Sequence, residues 1–83
     1  MGEKLLTVTV LSPELIIFQG KAERVIVPGE NGVFEILPFH KRILSRLLSG
    51  TIIIDAEYIP IYRGIIQAGE NSVTIIMEKN KEE

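Results

Sequence analysis

Apolar and polar residues alternate along most of this chain with a period of two, and turn-forming residues break the alternation at short intervals. Leu6, Val8 and Val10 fall on one side of the run Leu5 to Leu11, with Thr7 and Thr9 on the other, which predicts a half-buried strand. Ser12-Pro13-Glu14 predicts a turn, and Leu15 to Phe18 a second strand closed by Gln19-Gly20. Val25 to Val27 reads as a third strand, stopped by Pro28-Gly29. Gly29 and Gly32 bracket Glu30 and Asn31, a turn composition in which glycine supplies the φ > 0 positions. Val33 to Leu37 then runs extended until Pro38, which cannot donate to a ladder.

Lys41 to Leu48 alone has helical spacing, through Ile43, Leu44, Leu47 and Leu48, enough for two turns at most. Four further strands follow, over Thr51 to Ile54, Glu57 to Ile61, Ile65 to Gln67 and Ser72 to Met77. Strands at this spacing, with turn residues between them, predict an all-β fold. The expected architecture is a two-sheet, mostly antiparallel β-sandwich with one short helical connector. Its expected core is Leu6, Val8, Val10, Val25, Val27, Phe34, Ile36, Ile53, Val73 and Ile75.

Length and composition narrow the picture. Eighty-three residues make a single domain over 1–83, with no room for a second core. Hydrophobic residues are 46% of the chain and mean hydropathy is +0.26, an apolar excess that suggests a surface covered by a partner. The net charge of −2 gives no basic footprint, which argues against nucleic-acid binding. There is no cysteine, so no disulfide framework or thiolate metal site is possible, and a reducing cytoplasmic setting fits. No apolar run approaches the roughly 20 residues that span a bilayer. The opening Met-Gly-Glu-Lys-Leu-Leu lacks the apolar stretch of a signal peptide. Leu6 stands where a myristoylation signal wants Ser or Thr. From Glu78 the chain is charged and polar, a solvated tail.

Candidate chemistry is sparse. His40 is the one histidine, and bringing Ser45 or Ser49 to it with an orienting Asp55 has no support in the spacing. Gly29-Glu30-Asn31-Gly32 lacks the following helix and lysine of a phosphate cradle. The expectation is therefore no catalytic residue, no metal, no cofactor and no small-molecule substrate. His40 reads first as a rim histidine satisfied by backbone and second as a partner contact.

Val-Pro-Gly-Glu-Asn-Gly-Val-Phe over 27–34, followed by Ile-Leu-Pro-Phe-His over 36–40, resembles the N-terminal domain of the epsilon subunit of F-type ATP synthases. That family carries a pattern like V-x-L-P-G-x-E-G-x-F-G-V-L-P-G-H-A-P-L-L. The opening Leu-Thr-Val-Thr-Val-Leu-Ser-Pro-Glu, Phe18-Gln19-Gly20, Gly64-Ile65-Ile66 and Asn71 to Ile75 are similar to its other motifs, in order. Several positions depart from the pattern. Glu35 and Phe39 stand where the family has glycine, Lys41-Arg42 replaces Ala-Pro, and Tyr62-Arg63-Gly64 replaces Ser-Gly-Gly. Val33 takes the place of a usual acidic residue. The family's C-terminal helical hairpin is absent from these 83 residues, which therefore resemble a short or truncated form.

The resemblance implies a non-catalytic rotor subunit that docks on gamma and on the c-ring. It would lie peripherally on the cytoplasmic face of the cell membrane as part of F1. By position, Ser12, Pro38 and His40 are expected to face gamma. Glu30, Asn31, Gly32 and Val33 are expected to face the c-ring, with Glu30 or Glu35 supplying the displaced charge. The alternative is a free-standing sandwich adaptor that binds a peptide or protein partner by edge-strand addition; a small hydrolase is a third reading.

Overall fold

The computed structural model describes residues 4–79, and all regular structure among them is β. Nine strands follow in order: β1 (Leu6–Leu11), β2 (Ile16–Ala22), β3 (Val25–Gly29), β4 (Gly32–Ile36), β5 (Ile43–Leu47), β6 (Gly50–Ile54), β7 (Glu57–Ile61), β8 (Gly64–Gly69) and β9 (Ser72–Met77). They form one curled sheet in the order β2-β1-β9-β8-β5-β3-β6-β7, with β4 also paired to β3. All pairs are antiparallel except β1 with β9, which runs parallel from Thr7↔Ser72 to Leu11↔Ile76.

The two layers of the sandwich are joined where β3 changes partner. Val25 and Ile26 pair with β6, whereas Gly29 pairs with Leu47 of β5. Pro28 sits in the gap between those two pairings, where its missing N–H costs no ladder bond. Its carbonyl accepts the Leu48 N–H at 2.8 Å. The third strand accordingly runs through Pro28 to Gly29 rather than stopping before it.

The expected helical connector is a strand. Over Ile43–Leu47 burial alternates, with Ile43, Ser45 and Leu47 turned inward and Leu44 and Arg46 outward. Five residue pairs with β8, from Ile43↔Ala68 to Leu47↔Gly64, hold it extended. Two turns of isolated helix are marginal in water. A full ladder against β8 outweighs that weak local preference, and Leu44 is left 77% exposed.

The core is wholly apolar: among the described residues, every residue buried in it is hydrophobic. Leu6, Val8, Val10, Val25, Val27, Ile36, Val73 and Ile75 are all buried as expected. Ile53 is not: Ile52 and Ile54 point inward while Ile53 is half-buried. The register decides this, because Ile54 lies opposite buried Val25 and Ile53 opposite half-buried Ile26. Phe34 is half-buried and packs on the core edge, where its ring occupies the space a Cβ on Gly29 would need, 2.5 Å away. Gly29 is thus required by contact, and Gly32 alone in that turn takes a positive φ, +119°.

Asp55 ties two turns together. At φ +53° it begins the β6–β7 turn, and its carboxylate accepts the N–H groups of Glu23 (3.1 and 3.2 Å) and Arg24 (3.2 Å) in the β2–β3 turn. Of the charged tail, Glu78 and Lys79 are exposed; residues 80–83 lie outside the described residues.

Two predictions follow from these contacts. Leu47→Ala removes a buried side chain and should cost about 2–5 kcal/mol, whereas Leu44→Ala should stay within about 0.5 kcal/mol. Urea unfolding of both variants separates strand from helix here, since a helix would bury the two leucines on one face. Asp55→Ala removes the acceptor of two exposed backbone donors, which water then solvates, and should lose about 0.5–1.5 kcal/mol in the same assay.

Candidate functional site

Strand alternation places a graded set of side chains on the outer face of β2-β1-β9-β8-β5. One cross-strand row is polar: Gln19, Thr9, Thr74 and Gln67 are successive register partners. The next outward row is Ile16, Leu11, Ile76 and Ile65, closed by Arg46. Ile16 is 59%, Ile76 51% and Ile65 45% exposed. A contiguous apolar stripe one residue wide therefore crosses four strands at one rim, spaced by the strand separation of about 4.8 Å.

The β1–β2 turn and the β3–β4 hairpin tip reach this same rim. Lys79, just past β9, lies 3.7 Å from Glu14 of the turn, and Glu78 N–H donates to the Arg63 carbonyl at 2.8 Å. Glu30 at the hairpin tip borders an open depression with Arg46, Leu48, Arg63, Ile65 and Glu78. Beside it on the hairpin, Val33 is 71% exposed. Asn31 and Gly32 are exposed as well.

Ser12 is occupied by its own turn. Its Oγ accepts the N–H groups of Leu15 at 3.0 Å and Glu14 at 3.3 Å, and its N–H donates to the Leu15 carbonyl at 2.9 Å. Pro38 and His40 are not beside it. Phe39, between them, donates its N–H to Asn71 Oδ1 at 2.6 Å, and Asn71 is in the turn that opens β9, whereas Ser12 adjoins the strand's far end. The length of β9 therefore separates the two groups that the family resemblance assigns to one partner. Pro38 and His40 are half-buried while Phe39 stands out.

Glu35 shares the outward face of β4 with Val33, but its carboxylate lies 3.5 Å from Arg24. That ion pair is exposed and worth at most about 1 kcal/mol. It nonetheless gives Glu35 a local partner, where Glu30 has no cation within 4 Å among the described residues.

The described residues with candidate chemistry are each engaged locally. His40 Nδ1 is 2.6 Å from the Lys41 carbonyl, so that nitrogen carries the proton, and Nε2 is buried without a partner. Ser45 and Ser49 hydroxyls donate to the carbonyls of Arg46 and Tyr62. Asp55 is committed to the β2–β3 turn. Among the described residues no three His, Asp or Glu side chains could hold a metal ion together. No helix there is long and apolar enough to cross a membrane.

The outer stripe is the feature the sequence reading missed. Its signal was present: Ile65-Ile66 and Ile75-Ile76 are doublets inside strands, and a period of two must turn one member of each outward, while Ile16 and Ile17 are both exposed where the register slips between Val10 and Leu11.

Comparison with known proteins agrees with this architecture. An ATP synthase epsilon chain from Nitratiruptor sp. is 38% identical over 78 residues, covering 88% of this chain and 60% of its own length. One from Leptospira interrogans is 32% identical over 82 residues, covering 94% and 65%. The chain thus spans less than two thirds of the length of these relatives. Among solved structures, a chain of the Euglena gracilis mitochondrial ATP synthase, OSCP/F1/c-ring in rotational state 1, superposes with a TM-score of 0.77 at 15% identity, over 90% of this chain and 51% of that one. A chain of the Tetrahymena thermophila mitochondrial ATP synthase central stalk and c-ring gives 0.75 at 16%, over 93% and 65%. At such identities the likeness speaks to fold alone. The profile of the ATP synthase Delta/Epsilon chain beta-sandwich domain matches residues 5–82, and this chain belongs to that family.

Proposed function

We propose that this domain is a non-catalytic rotor-stalk subunit of an F-type ATP synthase, docking on gamma and the c-ring so that ion-driven rotation reaches catalytic sites elsewhere. The family match over residues 5–82 supports it, as do relatives that are ATP synthase epsilon chains. The observation that carries the reading is the apolar row Ile16-Leu11-Ile76-Ile65 beside the Glu30 hairpin tip, on a domain of that family. Such a subunit works peripherally, on the cytoplasmic face of the cell membrane, and turns over no substrate itself.

β1, β9 and β8 are interior strands with both ladders taken, so a partner meets the row through side chains rather than by strand addition. The free edges are guarded in the ways that natural sheets use. β7 carries Pro60, β4 carries Glu35, and the β1–β2 pairing has an irregularity between Val10 and Leu11. This favours the stalk reading over an edge-binding adaptor. In the proposed assignment the Glu30-Asn31-Gly32-Val33 tip meets the polar loops of the c-ring and the apolar row meets gamma. Ser12 borders that row, and Pro38 and His40 belong to a second contact at the opposite rim.

The test is co-purification with purified gamma and c-ring across a salt series. Ile76→Asp and Ile65→Asp should weaken gamma capture, and Gln67→Glu in the polar row should not. Equal capture by all three would remove the row from the interface. Glu30→Lys should slow assembly most at low salt, because a rim charge chiefly tunes association rate. Glu35→Lys should do less, its charge being already offset by Arg24. Gly32→Val should impair c-ring binding at every salt concentration, since a β-branched residue at φ +119° distorts the tip itself. Binding unchanged by all of these would show that the tip is not the contact.

A further inference from the structure

Phe39 is a bulky residue at φ +69°, in the left-handed region that such side chains avoid. The residue is 77% exposed, so packing on this domain does not compensate the conformation. What holds it is the 2.6 Å hydrogen bond from its own N–H to Asn71 Oδ1, across 32 residues of sequence. Leu37, two residues before it, is 50% exposed, and Lys41 and Arg42 follow after His40, both exposed and neither within 4 Å of a carboxylate among the described residues. A strained residue that the surroundings fix in place points to function. A glycine here would meet the backbone requirement without strain.

We infer that Phe39 is a pre-positioned anchor that inserts into an apolar cleft of the stalk partner, with Lys41 and Arg42 meeting carboxylates on the rim of that cleft. The identity of the partner as gamma rests on the rotor-stalk reading; the anchor itself rests on the geometry of this loop. A fixed orientation suits a shaped protein cleft, because a rigid aromatic loses little freedom on binding and such residues dominate interface energetics. A lipid surface has no use for a strained backbone, and two cations fall short of the basic cluster that holds a peripheral protein on anionic lipid.

Binding of purified gamma by the whole chain tests this, alongside thermal unfolding of each variant. Phe39→Gly and Phe39→Asn should keep or raise Tm, since both residues accept positive φ, yet weaken binding about tenfold or more. Phe39→Tyr, which keeps the ring, should bind nearly as the parent does. Lys41→Glu should weaken binding most at low salt. Parent binding that survives loss of the ring overturns the anchor and leaves the stalk reading intact. Absence of parent binding overturns the stalk reading and this inference with it. A large fall in Tm on Phe39→Gly would make the ring structural and also overturn the anchor. Sedimentation with phosphatidylcholine vesicles, with and without phosphatidylserine, gives the remaining arm: vesicle binding abolished by Phe39→Gly would reassign the residue to a membrane.

Discussion

The handover at β3 is the constraint on which the other features depend. Its first two residues pair with β6 and its last with β5, and Pro28 occupies the gap, its carbonyl taking the Leu48 N–H. Because a single strand serves both layers, the sheet can close over one apolar core without a second independent sheet. The crossover fixes the register of β5, which fixes that of β8 and so of β9 and β1. The outer row of isoleucines is aligned by that sequence of ladders. Gly29 ends the strand where the Phe34 ring leaves no room for a Cβ, so the hairpin tip carrying Glu30 is located by the same junction.

Most of the fold was legible because it follows from alternation: the boundaries of β1, β6, β7 and β9 come close to those read from the residues alone. Lys41 to Leu48 was misread because Ile-Leu and Leu-Leu doublets satisfy a helical template as well as a buried strand does. Cross-sheet partners 17 to 25 residues away, from Leu47↔Gly64 to Ile43↔Ala68 and invisible to local spacing, settle the matter. Ile52-Ile53-Ile54 failed for a related reason. Three identical residues carry no phase, and only pairing with Val25 and Ile26 tells which face is inside.

The sites divide in the same way. Glu30 and Val33 stand at the exposed tip that their turn composition predicts. The family resemblance gives Ser12, Pro38 and His40 a common partner, and in the fold β9 lies lengthwise between the first and the other two. Proximity between loops at opposite ends of a strand is a matter of topology, and no residue announces it. Phe39 was visible as a departure from a glycine position, but its strain becomes apparent only with the backbone angle and the Asn71 bond in hand.

The parallel pairing of β1 with β9 has a mechanical consequence. The two strands closest to the ends of the described chain run side by side in the same direction over five registered pairs. A tensile load entering ahead of Leu6 and leaving after Met77 pulls them in opposite senses along their length. Their inter-strand bonds are then sheared together rather than peeled one at a time, so rupture requires many bonds to fail at once. That geometry gives the domain a resistance to stretching that does not depend on how deep its core is.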